Sequence, residues 1–331
     1  MPSGASSTFH RGRPPGPRGT SWMRACAAWC RLRDPMELQD PSLRTCVQRA
    51  LAEDLGREDL SLDADVTTRL SVPAGKRGWA RLWAKSRGVL AGSAAAVVAF
   101  QLLDPKAACQ RVRGDGDRFE RGDLVFEVAG DMRALLAAER TALNFIQRLS
   151  GVATVTRAFV DAVAGTRARI LDTRKTTPGL RLLEKAAVAA GGGTNHRIGL
   201  FDQVLLKENH FGFAAPVPYE EVVRRCVQGQ ARPVVAEARS VAEAVAAVRG
   251  GAAVVLLDNF RPGPDLRSAV QAVRDMAAQL GRTDVLTEAS GGVTLQTVRE
   301  FAECGVDRIS VGAITHSAPA VDLSLLVEGV S

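Results

Sequence analysis

Six short apolar runs in the second half of the 331-residue chain each end in residues able to do chemistry. Ile170-Leu171 leads to Asp172, Thr173, Arg174 and Lys175. Leu205-Leu206 leads to Lys207, Glu208, Asn209 and His210. Val234-Val235 leads to Glu237, and Val255-Leu256-Leu257 to Asp258-Asn259. Val285-Leu286 leads to Glu288 and then Ser290-Gly291-Gly292. Ile309-Ser310-Val311 leads to Gly312, with Thr315, His316 and Ser317 beyond. One polar end is ordinarily a solvated cap; six in succession point to one site. Its cations are Arg174, Lys175, Arg197 and Lys207, with His196 beside them and Arg140 upstream. Gathered in one cleft they repel each other unless an anion fills it, so the ligand should be polyanionic. Arginine suits bidentate carboxylate or phosphate, and lysine acts as a compact charge on phosphate. Glu237 and Asp258 suit a divalent metal or sugar hydroxyls, and a carboxylate pair can stabilise an oxocarbenium-like centre.

Two glycine turns complete the set. Ser290-Gly291-Gly292 and Ser310-Val311-Gly312-Ala313 follow the last two runs, where backbone N–H groups can cradle a phosphate monoester. Gly191-Gly192-Gly193, just before Thr194, Asn195, His196 and Arg197, allows positive φ or close backbone approach. His196 divides evenly between a structural histidine and a catalytic one. His210 and His316 read as hydrogen-bonding supports. No His/Cys/carboxylate set has catalytic zinc spacing, and neither G-x-S-x-G nor G-x-x-x-x-G-K-[ST] occurs.

The elements that position these residues follow from periodicity. Residues 43–55, 92–103 and 131–163 have helical spacing, the last with a break expected near Ser150-Gly151; 79–90 and 123–128 read as strands. From about residue 168, strands at 168–171, 203–206, 233–236, 253–257, 285–288 and 308–311 alternate with helices at 180–190, 219–228, 241–249, 265–280 and 295–304. Alternation implies a parallel sheet. About six units over roughly 145 residues fit an incomplete, open α/β barrel better than the eightfold form. The alternative is an open doubly wound sheet, although no G-x-G-x-x-G follows its first strand.

Composition is ordinary for a globular protein, 46% hydrophobic and 24% charged. That excludes a disordered or collagenous chain, and no apolar run approaches the roughly 18 residues of a membrane span. The net charge of +7 is uneven. Residues 140–207 carry 11 Lys and Arg against 4 Asp and Glu, whereas 208–331 is acidic. Residues 1–35 carry six Arg and one Asp in a Gly/Pro/Ser-rich context that reads as a disordered leader or an over-extended start, with Met36 opening the first amphipathic segment. Cys26, Cys30, Cys46, Cys109, Cys226 and Cys304 lack metal-ligand spacing and read as reduced thiols of a cytoplasmic protein.

Several runs resemble the quinolinate phosphoribosyltransferases, also called nicotinate-nucleotide pyrophosphorylases (carboxylating). They are Glu139-Arg140-Thr141-Ala142-Leu143-Asn144, Leu149-Ser150-Gly151-Val152-Ala153-Thr154, and the specific run Asp172-Thr173-Arg174-Lys175-Thr176-Thr177-Pro178-Gly179-Leu180-Arg181. Gly191-Gly192-Gly193-Thr194-Asn195-His196-Arg197, Leu206-Lys207-Glu208-Asn209-His210, Leu257-Asp258-Asn259, Glu288-Ala289-Ser290-Gly291-Gly292 and Ser310-Val311-Gly312-Ala313-Ile314-Thr315-His316 continue it in order. The resemblance implies an N-terminal α/β sandwich domain over 36–140, rejoined by 314–331, and an open barrel over 141–313. It implies a homodimer, or a higher oligomer, whose active sites borrow residues across subunits. It also implies the reaction: quinolinate and phosphoribosyl pyrophosphate give nicotinate mononucleotide, pyrophosphate and CO2, with Mg²⁺, in de novo NAD biosynthesis.

By the same resemblance Arg140 (from the partner), Arg174, His196 and Arg197 hold quinolinate, and Thr173 is a further substrate-binding residue. Lys175 and Lys207 lie between quinolinate and the diphosphate. Glu237 and Asp258 face the ribose and Mg²⁺, and Ser290, Gly291, Gly292 and Gly312 take the 5-phosphate. Lys175, Glu237 and Asp258 are the implied catalytic groups. The chain departs from the family pattern where E-V-E is replaced by Val235-Ala236-Glu237, where K-D-N-H is replaced by Lys207-Glu208-Asn209-His210, and where G-D-x-T is replaced by Glu58-Asp59-Leu60-Ser61. Arg174-Lys175 together with His196-Arg197 favours quinolinate over the substrate of the related proteins of molybdenum-transport clusters. A nucleic-acid-binding reading of the basic blocks leaves the strand-end carboxylates unexplained and has few aromatics for stacking.

Overall fold

The computed structural model describes residues 40–229 and 232–330. The Arg-rich segment 1–35, with Cys26 and Cys30, lies outside them. Helix α1 (Pro41–Leu55) starts at Asp40, whose carboxylate accepts from Ser42 N at 2.8 Å, and stops at left-handed Gly56. Leu43, Val47 and Leu51, four residues apart, form its buried stripe. A short turn (Leu62–Ala64) and α2 (Val66–Ser71) precede strand β1 (Arg77–Ala84). The alternation read over 79–90 holds only to Ala84; the chain then breaks and Gly88–Val89 forms a separate strand, β2. Next come α3 (Ser93–Leu103), β3 (Ala108–Arg111), β4 (Arg118–Phe119) and β5 (Leu124–Asp131).

Helix α4 (Met132–Ala162) is continuous through Ser150-Gly151, where a break was expected. The pair is a docking point. Ser150 Oγ accepts from Ala91 N and donates to Ala91 O, and a Cβ on Gly151 would overlap the carbonyl of Pro319. The division expected at 140/141 falls inside this helix.

The second half contains β6 (Arg169–Leu171), α5 (Arg181–Ala190), β7 (Val204–Leu206), α6 (Glu208–Phe213), α7 (Tyr219–Gly229) and β8 (Val234–Ala238). It continues through α8 (Val241–Arg249), β9 (Val254–Asp258), α9 (Pro264–Gln279), β10 (Leu286–Ser290), α10 (Val298–Glu303), β11 (Arg308–Ser310) and α11 (Ala313–His316), and ends in β12 (Leu323–Val330). The six parallel strands are ordered β6-β11-β10-β9-β8-β7. This is the cyclic order of a barrel cut between its first two strands, as expected of an open barrel, and it excludes the doubly wound sheet. At the open seam Thr194 pairs with Leu171, so the loop after the three glycines lies along β6 as an extra edge segment. The second sheet is antiparallel, ordered β12-β1-β5-β3, and the chain end thereby returns to the first half. Helices α1, α3 and α4 pack with one another in the same half.

Strand register decides what fills the barrel. Side chains paired across a parallel sheet share a face, and alternate residues change face. Val234, Ala236, Val255, Leu257, Ala289, Ile309 and Ile170 point outward into the main core under the helices. The inward set forms rows. The lowest is apolar: Leu205, Val235, Val254 and Leu286. Above it stand Glu237, Leu256, Glu288, Arg308 and Arg169, and above those Asp258, Ser290, Ser310 and Leu171. The polar strand ends of the sequence are thus the upper rows of one barrel interior.

Candidate active site

Glu237 is buried, and its Oε1 accepts from Glu208 N at 3.1 Å. That bond sets the start of α6 beside β8 and brings Lys207, the residue after β7, next to the Glu237 strand. Tyr219 donates to the Glu237 carbonyl at 2.7 Å and stacks on Phe211, their ring centroids 3.9 Å apart. Burial, with Glu243 and Glu237 nearby, pushes the Tyr219 hydroxyl up, so it stays a donor. His210 supports the same turn, its Nδ1 accepting from Lys207 N at 2.9 Å.

In the same row, Glu288 has no solvent exposure. Its Oε1 receives Ser310 Oγ, and His196 Nε2 lies 3.2 Å away. Burial alone would raise its pKa. The hydrogen bond and charge of His196, the Ser310 hydrogen bond and the charge of Arg308 together outweigh burial and hold the carboxyl below the usual range. His196 Nδ1 accepts from Arg197 N at 2.7 Å. Both ring nitrogens thus have protein partners, as the structural reading of His196 requires.

The loop after β6 carries Thr173, Arg174 and Lys175. Thr173 Oγ1 accepts from Lys175 N at 3.0 Å, and Thr315 Oγ1 donates to Lys175 O at 2.8 Å. A Cβ on Gly312 would meet Lys175 Cδ and the His316 ring at 3.1 Å, so glycine there lets the lysine lie across the end of β11. Arg174 and Arg197 are close enough that burial and the Arg174 charge together lower the pKa of Arg197. Gly291 and Gly292 are both left-handed, and Gly291 lies against the Asn259 side chain. Asn259 Nδ2 in turn donates to Asp258 Oδ2 at 2.6 Å. The structure therefore brings Arg174, Lys175, Arg197 and Lys207 around the barrel mouth, above Glu237 and Asp258 and beside the Ser290-Gly291-Gly292 turn. Arg140 is different: it lines a groove with Ala50, Glu53 and Asp54 of α1.

Similarity to known proteins agrees with this geometry. A family model described as quinolinate phosphoribosyl transferase, C-terminal domain, matches residues 152–326, and its N-terminal counterpart matches 65–150. A nicotinate-nucleotide pyrophosphorylase (carboxylating) of Mycobacterium leprae is 41% identical over 85% of this chain and 96% of its own length. A probable enzyme of the same name from Bacillus subtilis is 38% identical, over 86% and 92%. The solved nicotinate-nucleotide pyrophosphorylase of Francisella tularensis superposes with a TM-score of 0.80 at 34% identity, over 89% of this chain and 99% of that one. The chain belongs to the quinolinate phosphoribosyltransferase family.

Within this phosphoribosyltransferase fold the three glycines at 191–193 have a packing role. A Cβ on Gly191 would meet Ala153 O and Thr156 Cβ at 2.6 Å, and one on Gly193 would meet Thr156 Cγ2 at 2.7 Å. They seat the His196-Arg197 loop directly on α4. Sequence reasoning passed over the fully buried Glu184 and Lys185 and the half-buried Arg148 that meets Glu184. Arg148 bonds Glu184 at 2.8 Å and Ala318 O at 2.6 Å, and also Thr315 O. The available signal was a Glu-Lys doublet on the apolar face of α5. Among the described residues no helix is long and apolar enough to cross a membrane.

Proposed function

We propose that the protein transfers the phosphoribosyl group of phosphoribosyl pyrophosphate to quinolinate, with decarboxylation, in de novo NAD biosynthesis. The observation that carries this reading is four cations on the rim of a barrel interior that holds Glu237 and Asp258. Quinolinate brings two carboxylates, and phosphoribosyl pyrophosphate a monoester and a diphosphate. Arg174 and Arg197 match the planar carboxylates. Lys175 and Lys207 match the diphosphate, and the Ser290-Gly291-Gly292 turn with Gly312 matches the 5-phosphate.

In the first step the anomeric C–O bond to pyrophosphate breaks and the quinolinate nitrogen forms the new bond to that carbon. Glu237 and Asp258 face the positive charge that develops on the ribose, while the lysines take up the charge of the leaving group; positioning and electrostatics supply the rate. The adjacent carboxylate then leaves as CO2, its bonding electrons passing to the cationic ring, and a proton takes its place on the carbon. Mg²⁺ fits as a companion of the diphosphate. Mg²⁺ is ordinarily held by one or two carboxylates plus substrate phosphates. Glu237 and Asp258 would be those carboxylates, and the ion they hold would supply neutralisation of diphosphate charge.

The functional unit is a homodimer in which Arg140 reaches the partner's quinolinate pocket. Its position on the α1–α4 groove supports this, as do exposed Leu200 and Phe213 in the segments following Arg197 and Lys207. Free thiols at Cys46, Cys109, Cys226 and Cys304 suit the cytoplasm. Purified protein given quinolinate, phosphoribosyl pyrophosphate and Mg²⁺ should yield nicotinate mononucleotide, pyrophosphate and CO2 in equal amounts. Pyrophosphate without CO2, or no product, would overturn the proposal.

A further inference from the structure

Glu184 and Lys185 are sequence neighbours on α5, oppositely charged and without solvent exposure. Burying two charges side by side is costly unless each finds defined partners. Lys185 Nζ donates to both Asp172 oxygens at 2.7 Å and to His196 O at 3.1 Å. Asp172 Oδ1 also accepts from His196 N at 2.6 Å. Glu184 Oε2 accepts from Thr177 N at 3.0 Å, and its Oε1 from Thr177 Oγ1 at 2.7 Å and from Arg148. Asp172 and Thr177 bracket the loop that carries Thr173, Arg174 and Lys175, and His196 immediately precedes Arg197. One turn of α5 therefore holds both ends of one cation-bearing loop and the start of the other. Arg174 and Arg197 repel each other, so empty loops would splay unless restrained.

We propose that Glu184 and Lys185 form a positioning clamp that sets the spacing of Arg174, Lys175 and Arg197 for the reaction. The proposal rests on the activity proposed above. Lys185, through Asp172, holds the two arginines at quinolinate spacing; Glu184, through Thr177, fixes the lysine end of the loop.

Two variants test it. Asp172→Asn with Lys185→Met removes both charges together, so neither is left buried alone. Glu184→Gln keeps the shape and the acceptor toward Arg148 but turns an amide NH2 against Thr177 N. Melting temperature, kcat and both KM values are measured beside wild type. The double variant should raise the quinolinate KM about tenfold or more, with the phosphoribosyl pyrophosphate KM within about twofold. Glu184→Gln should lower kcat about tenfold with a smaller change in quinolinate KM. Unchanged kinetics in the folded variants would overturn the clamp, as would an equal loss in every parameter that tracks lost stability. If the double variant does not fold, Glu184→Gln decides by the same readings. Wild type without quinolinate turnover would overturn the activity, and the clamp with it; active wild type with unaltered variants overturns the clamp alone.

Discussion

Glu288 and His196 define each other. The sequence places a carboxylate at the end of an apolar run and a histidine after three glycines, but nothing in their spacing says that they meet. The contact is made because β6 and β10 flank β11 and the Thr194 segment closes along β6. Six strand-end polar groups were therefore legible as candidates, whereas which of them bond to each other was not. A carboxyl held below its unfolded pKa adds stability above that unfolded value and loses it as pH falls through the folded one. Glu288 is such a group. Wild type should lose stability on acidification below about pH 4.5, and Glu288→Gln should lose less of its own between about pH 5 and pH 3. Thermal melts across that range check it; parallel acid limbs in the two proteins would contradict it.

At the scale of elements, the parallel strands were legible because each is a short β-branched run between helical segments. Small elements were not. The two-residue strands β2 and β4 and the six-residue α6 lie below the length at which periodicity carries information. Ser150-Gly151 looked like a helix break because glycine and serine weaken isolated helices; close packing of Pro319 and Ala91 on α4 reverses that meaning. The turn after β10 is a functional counterpart. Gly291 has φ +100° and lies against Asn259, so a methyl group there is both strained and obstructed. Gly291→Ala should cost roughly 1–2 kcal/mol of turn geometry and raise the KM for phosphoribosyl pyrophosphate about tenfold. The quinolinate KM should change little, and steady-state kinetics with each substrate varied in turn separate the two.

The whole molecule explains the charge distribution. The basic segment 140–207 supplies Arg140 and all four rim cations, and the acidic remainder of the barrel supplies Glu237 and Asp258. Arg140 faces the α1–α4 groove, which makes sharing between subunits testable by complementation. Arg140→Ala and Lys175→Ala proteins, each inactive alone, should regain about a quarter of wild-type activity when refolded together, since half of random dimers are mixed and each mixed dimer has one intact site. No recovery would place Arg140 in its own subunit's site or outside the reaction. The central claim is that this barrel mouth selects a dicarboxylate acceptor and decarboxylates it. The most direct measurement supplies quinolinate, nicotinate and nicotinamide in parallel, each with phosphoribosyl pyrophosphate and Mg²⁺, and follows pyrophosphate and CO2 together. Turnover with quinolinate alone, releasing one CO2 for each pyrophosphate, is the predicted result; turnover of nicotinate with quinolinate inert would contradict it.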